Sequence, residues 1–159
     1  YPTLAKAGVK IDYNDAAIRK AENEEIHLLT RFSTDISILK LFPGIDKRTV
    51  NSIIQAEGLK AIILETYGSG NAPSTAWFIE SLKNAIKQGI MMVNISQCPG
   101  GTVMQGKYET SKSLADIGVI SGEDMTMEAA VTKLMILLGE HGIEGTRKLI
   151  NQSLAGEVG

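Results

Sequence analysis

Apolar residues along the chain fall into short blocks separated by polar, glycine-rich stretches. Ile36-Ser37-Ile38-Leu39-Lys40-Leu41 is rich in β-branched residues and stops at Phe42-Pro43-Gly44, which reads as a strand and a turn. Asp46 then stands where it can cap a helix whose Val50, Ile53 and Ile54 share one face, with Gly58 as its stop. Ala61-Ile62-Ile63-Leu64 is a nearly continuous apolar run, the pattern of a strand covered on both faces. It gives way to Tyr67-Gly68-Ser69-Gly70-Asn71. Pro73 follows where a helix would begin, since the first helical amide has no partner to lose. Trp77, Phe78, Leu82, Ala85 and Ile86 supply the apolar stripe of that helix, and Gly89 ends it. Ile90-Met91-Met92-Val93-Asn94-Ile95 repeats the buried-strand pattern, with a polar, glycine-rich loop over residues 96–106. A short helix is expected over residues 113–117, a fourth short strand or a turn over 118–122, and two helices over 127–138 and 143–154.

Strands alternating with helices through short loops imply parallel strands joined by right-handed crossovers. The fold expected is α/β: a three-layer, Rossmann-like sandwich with a small parallel sheet of about four strands flanked by helices. Ligands of such sheets lie beyond the carboxyl ends of the strands. Residues 42–44, 66–71 and 96–101 should therefore meet at one edge. Residues 1–31 lack the rhythm: Asn14-Asp15 and Glu22-Asn23-Glu24-Glu25 interrupt the apolar content. Edge strands are expected there at Val9-Lys10-Ile11 and over residues 26–31. We read residues 1–31 as an interdomain connector and 32–159 as the α/β domain. The opening Tyr1-Pro2-Thr3-Leu4-Ala5 reads as the middle of a longer chain with an amino-terminal partner before it.

Composition narrows the function classes. At 43% hydrophobic the 159 residues can fill a core, but with only 5% aromatics, aliphatic and Met side chains must do the packing. Net charge is -2, with the basic residues scattered rather than gathered into a stripe, so nucleic acid is not an expected partner. The single cysteine, Cys98, excludes an internal disulfide and a cysteine-rich metal site, and fits a reducing, cytoplasmic setting. No apolar run reaches the length of a membrane span, and no secretory signal opens the chain.

Four features carry candidate chemistry. Gly68-Ser69-Gly70, between a strand and a helix, is where phosphates can bind, but Pro73 replaces the third glycine of the dinucleotide fingerprint, and Asn94 replaces the ribose-binding acid. A tight turn is the preferred reading. Cys98 as a nucleophile needs a base, and only His27 and His141 are available, neither placed to converge on it; a buried or half-buried thiol is preferred. Glu65 ends an apolar strand at the ligand-prone edge, Asp124 stands where it can cap the next helix, and Glu109 reads as part of a solvated loop. The stripe Met127, Ala130, Val131, Leu134, Met135 and Leu138 suits either core or an interface between copies.

Several segments occur together in a familiar order: Leu41-Phe42-Pro43-Gly44-Ile45, Ala61-Ile62-Ile63-Leu64-Glu65-Thr66-Tyr67-Gly68-Ser69-Gly70-Asn71-Ala72-Pro73, Val93-Asn94-Ile95-Ser96-Gln97-Cys98, and Gly118-Val119-Ile120-Ser121-Gly122-Glu123-Asp124-Met125-Thr126. The ordered set, with Glu128-Ala129-Ala130-Val131-Thr132-Lys133-Leu134 after it, resembles the carboxy-terminal domain of the type I, cytoplasmic L-asparaginases. The resemblance implies hydrolysis of L-asparagine to L-aspartate and ammonia without metal or organic cofactor. It also implies partnership with the chain's own amino-terminal domain, in a homodimer or homotetramer.

In that family a threonine nucleophile, helped by a second threonine and an Asp-Lys pair, belongs to the amino-terminal domain. Its motifs are absent here, and Thr34-Asp35, the one Thr-Asp in the chain, has no matching context, so no catalytic residue is assigned. The resemblance instead gives Tyr67, Gly70 and Asn71 a role in shaping and closing the substrate pocket of a dimer partner. The alternative for Asn71 is capping of the helix near Pro73. Some bacterial members also bind asparagine at an allosteric site, at positions matching Glu65, Ser96 and Cys98. Those members carry arginine in place of Glu65, whose carboxylate would repel the ligand's. Two other classes stay open: a stand-alone module binding asparagine or a nucleotide, and an oligomerisation module.

Overall fold

The computed structural model describes residues 2–18, 28–106 and 109–159, with side chains omitted for 109–111. Four parallel strands form the central sheet: β3 (Ile36–Lys40), β4 (Ala61–Thr66), β5 (Met91–Ser96) and β6 (Ile120–Ser121), in that spatial order. They are preceded by a small antiparallel hairpin of β1 (Ala5–Ala7) and β2 (Ile11–Tyr13). Helices α1 (Lys47–Ile54), α2 (Ala76–Lys87), α3 (Glu109–Asp116) and α4 (Met127–Leu149) complete the chain.

The unbroken apolar runs of β4 and β5 have a direct cause. Alternate residues feed two separate cores, so neither face can be polar. Leu39, Leu41, Ile62, Leu64 and Met92 pack with Val50 and Ile54 of α1, Phe78, Leu82 and Ala85 of α2, and Leu114 of α3. Ala61, Ile63, Met91, Val93 and Ile95 pack on the other face with Ala130, Leu134, Leu137 and Leu138 of α4. The result is the expected three-layer α/β sandwich; of the stripe on α4, Ala130, Leu134 and Leu138 are core, while Met127 and Val131 pack half-buried against it.

Several boundaries differ from the sequence expectation. Val9 and Lys10 belong to the turn of the β1–β2 hairpin, whose strands are fully exposed and stand apart from the main sheet. Of the expected strand over 26–31, residues 26 and 27 lie outside the described residues, and 28–31 form no strand. Helix α1 is capped by Asp46 as expected, Oδ1 accepting from the Thr49 amide at 2.8 Å, but it ends at Ile54, four residues before Gly58. Helix α2 starts at Ala76 behind Thr75, so neither Pro73 nor Asn71 begins or caps it. Helix α3 begins at Glu109, four residues earlier than expected, which places Glu109 in a helix and not in a loop. The two expected late helices are one element with a break at Gly142 (φ 64°, ψ -172°), and it stops at Leu149. The left-handed φ there favours glycine.

Residues 30–33 are pinned to the middle of α4. Glu140 accepts from the amides of Thr30 (2.8 Å) and Arg31 (2.7 Å) and from Arg31 Nε (3.0 Å), and the Ser33 amide donates to Met135 O at 2.9 Å. Gly139 permits this crossing, because a Cβ there would collide with the Arg31 carbonyl. Asp35 is paired with Lys60 at 2.7 Å, so Thr34-Asp35 leads into β3 as a structural junction.

Candidate functional site

The three loops expected at one edge do meet there. Gln97 Nε2 donates to the carbonyls of Leu41 (2.6 Å) and Glu65 (2.8 Å), tying the ends of β3, β4 and β5 together. The Gln97 amide also donates to Thr66 O at 2.9 Å.

Residues 67–71 form a closed turn at the end of β4. The Tyr67 amide donates to Asn71 O at 2.9 Å, and the amides of Gly70 and Asn71 donate to Tyr67 O at 3.0 and 2.8 Å. Those two amides are therefore occupied within the turn, which removes them from any phosphate cradle, and the tight-turn reading holds. Tyr67 and Asn71 are half-buried and Gly70 is buried. Gly70 has φ +104°, and a Cβ there would lie 2.8 Å from Val103 Cγ1 and 3.2 Å from Asn94 Nδ2. Only glycine satisfies both the backbone and the space.

The carbonyls of this turn are held from outside it. Gly68 O accepts from Ser96 Oγ at 2.5 Å, Ser69 O from the Met104 amide at 3.0 Å, and Gly70 O from Asn94 Nδ2 at 3.3 Å. Asn94 is fully buried, and its Oδ1 accepts from Thr66 Oγ1 at 2.6 Å. Sequence reasoning gave Asn94 no role. The available signal was a polar residue inside the apolar run Met91-Met92-Val93-Asn94-Ile95, which a strand buried on both faces does not tolerate unpaired.

Glu65, Ser96 and Cys98 come together in another way. All three line one cavity of ≈ 900 Å³, along with Gly101, Asp124 and Glu128; Tyr67, Gly70 and Asn71 are not among its lining residues. Glu65 is buried, and its Oε1 accepts from Lys40 Nζ at 2.9 Å. Its carboxylate is thus an ion-paired group at the cavity wall. Ser96 Oγ also accepts from the Cys98 amide at 3.0 Å, and a Cβ on Gly101 would strike that hydroxyl.

Cys98 itself is exposed, contrary to the buried or half-buried thiol expected, because it lies in the bend just past β5. His141 is exposed on α4 beside the Gly142 break and does not line this cavity, while His27 lies outside the described residues. Asp124 does not cap α4: Thr126 does, its Oγ1 accepting from the Ala129 amide at 3.3 Å. Asp124 Oδ1 accepts from the Gly159 amide at 3.0 Å. Among the described residues no group of three or more His, Cys, Asp or Glu side chains is placed to hold a metal ion.

Residues 35–148 match the family model of the glutaminase/asparaginase C-terminal domain. L-asparaginase 1 of Escherichia coli strain K12 is 39% identical over 160 residues, which cover 99% of this chain and 46% of that protein. The 60 kDa lysophospholipase of Mus musculus is 36% identical over 161 residues, covering 99% of this chain and 28% of that one. A component of the glutamyl-tRNA(Gln) amidotransferase of Methanococcus maripaludis is 34% identical over 139 residues, covering 87% of this chain and 32% of that one. In three dimensions, L-asparaginase I of Vibrio cholerae superposes with a TM-score of 0.89 at 34% identity, covering 100% of this chain and 48% of that one. The chain spans about half the length, or less, of the relatives it matches.

Proposed function

The chain belongs to the glutaminase/asparaginase C-terminal domain family, and from that premise we propose that it is the carboxy-terminal half of an L-asparaginase. The observation that carries this reading is the 39% identity to an L-asparaginase across 99% of the chain. In the whole protein the side-chain amide of L-asparagine is attacked by a threonine of the amino-terminal half, ammonia leaves, and water releases L-aspartate. This half contributes the turn of Tyr67, Gly70 and Asn71, which shapes and closes the substrate pocket of a dimer partner. Residues 1–31 connect the halves and 32–159 form the domain. The assembled protein is a cytoplasmic homo-oligomer. No helix among the described residues is long and apolar enough to cross a membrane.

The test is ammonia release by the full-length gene product from L-asparagine and L-glutamine, with fatty-acid release from a lysophospholipid measured beside it as the competing activity. Turnover of asparagine by the full-length protein, and none by residues 1–159 alone, is the expected result. Hydrolysis of the lysophospholipid without asparagine turnover would move the chain to the lysophospholipase branch of its relatives.

A second reading is favoured by the shared cavity of Glu65, Ser96 and Cys98: asparagine binds there as an effector. The Lys40–Glu65 pair leaves the carboxylate partly neutralised, which eases the repulsion expected from sequence. Millimolar asparagine should then raise the melting temperature of the full-length protein beyond the shift that active-site binding gives, read with the active site blocked by a covalent inhibitor. No shift removes this reading.

A further inference from the structure

The turn of residues 67–71 owes its shape to groups outside it. Three successive carbonyls, of Gly68, Ser69 and Gly70, each accept one hydrogen bond, and all three donors come from β5 or the loop that follows it. Two of the donors are side chains, Ser96 and Asn94. Asn94 is the buried one. A carbonyl can only accept, so the end of the Asn94 amide facing Gly70 O must be the nitrogen; the oxygen is then left to take the Thr66 hydroxyl at 2.6 Å. Both ends of the side chain are thus assigned, and its rotation is fixed. Val103 fills the space a Cβ on Gly70 would need. An apolar residue would serve the strand equally well as core. The amide therefore does something packing does not require: it fixes the backbone between Tyr67 and Asn71.

We propose that Asn94 is a positioning residue for the substrate pocket, acting through Gly70, with Ser96 acting in the same way through Gly68. The inference rests on the reading that this turn completes the pocket. A residue that sets the placement of pocket walls, without touching the reacting atoms, acts on binding common to ground and transition states. Its loss raises KM and leaves kcat near its original value.

The experiment uses the full-length enzyme and three variants, Asn94→Asp, Ser96→Ala and Asn71→Ala. Asn94→Asp keeps the side-chain shape and the acceptor for Thr66 but sets an oxygen against Gly70 O. KM for asparagine should rise about tenfold, the scale of a lost hydrogen bond with a repulsive replacement, with kcat changed by less than about twofold. Ser96→Ala should shift KM in the same direction by a smaller factor. In both variants amide hydrogen exchange should quicken in the peptide spanning residues 67–71 while the rest of the sheet stays protected. Ser96 is half-buried at the strand end, so its variant carries the test if Asn94→Asp does not fold.

A purely structural role would lower the melting temperature and leave KM where it was. That outcome overturns the proposal, as does a KM rise without faster exchange in the turn. If Asn71→Ala raises KM and the other two do not, the positioning role falls and the pocket reading stands. If none of the three moves KM, both fall together.

Discussion

Lys133 offers the sharpest quantitative test of the packing. It is a cation on α4 with 5% of its side chain exposed, and its ammonium pairs with Glu157 Oε1 at 2.5 Å and donates to Gln152 O at 2.6 Å. Glu157 in turn accepts from the amides of Leu154 (3.1 Å) and Ala155 (2.6 Å). The pair thereby folds the carboxyl tail back on α4, where Ile150 and Val158 join the core. Replacing Lys133 by Met leaves the Glu157 carboxylate, 12% exposed, without its cation. Removing one partner of a buried pair costs about 3–5 kcal/mol. The two amide bonds to Glu157 survive, so the lower end, about 3 kcal/mol, is expected. Removing both charges by Lys133→Met with Glu157→Leu should return stability to within about 1 kcal/mol of the parent, because the cost lies in the stranded charge and not in the loss of the pair. The double variant should then be more stable than Lys133→Met alone, a reversal of additivity. Urea unfolding at neutral pH, followed by far-ultraviolet circular dichroism with a constant slope, measures all of this. A cost below about 1 kcal/mol for Lys133→Met, or a double variant that simply sums the two singles, would refute the reasoning.

The same pair predicts a pH dependence. Burial alone would raise the Glu157 carboxyl, but the Lys133 ammonium and the tail amides outweigh it and hold it at about 2 against an ordinary 4.5. Its folded value is the lower one, so its contribution is complete above pH 4.5 and is lost as pH falls towards 2; the urea midpoint should drop across that window in the parent and less in the double variant. Gly70→Ala should cost about 1–3 kcal/mol from the left-handed backbone, more once Val103 is displaced, and should raise KM of the full-length enzyme; an unaffected KM would separate the turn from the pocket. Glu140→Gln should speed proteolysis near residues 28–33 several-fold while leaving the melting of the sheet nearly unchanged, since the bonds it weakens are local to Thr30 and Arg31. Cleavage unchanged from the parent would mean that other contacts pin the segment.

The sheet was legible because burial on both faces leaves a mark no other element makes: runs such as Ala61-Ile62-Ile63-Leu64 that are apolar without alternation, spaced by helical stripes. The ends of the helices were not. The first turn of α3, Glu109-Thr110-Ser111-Lys112, has no apolar residue, so periodicity cannot see it. Pro73 suited a helix start by its own geometry, yet the chain first needs residues 72–75 to leave the closed turn, and α2 begins at Ala76. The β1–β2 hairpin was half seen, because its exposed strands lack the core-facing pattern that identifies a strand by burial.

The candidate site divides along the same line. Glu65, Ser96 and Cys98, which the resemblance grouped, line one cavity because each ends or follows a parallel strand, and topology sends such residues to one edge. The conformation of the Tyr67–Asn71 turn was beyond such reasoning, since it depends on which carbonyl meets which donor across 24 residues from Gly70 to Asn94. Yet that pairing left a trace. An asparagine inside a strand of Met, Met, Val and Ile costs several hydrogen bonds' worth of hydration unless a partner is waiting, so its presence alone announces a polar contact inside the sheet. The turn after β4 and the strand β5 are therefore one unit. Relatives with different names match this chain at 34–39% identity. If the turn closes the pocket as proposed, a shift in the donors that hold the Gly68, Ser69 and Gly70 carbonyls is one route by which such relatives would come to differ in substrate.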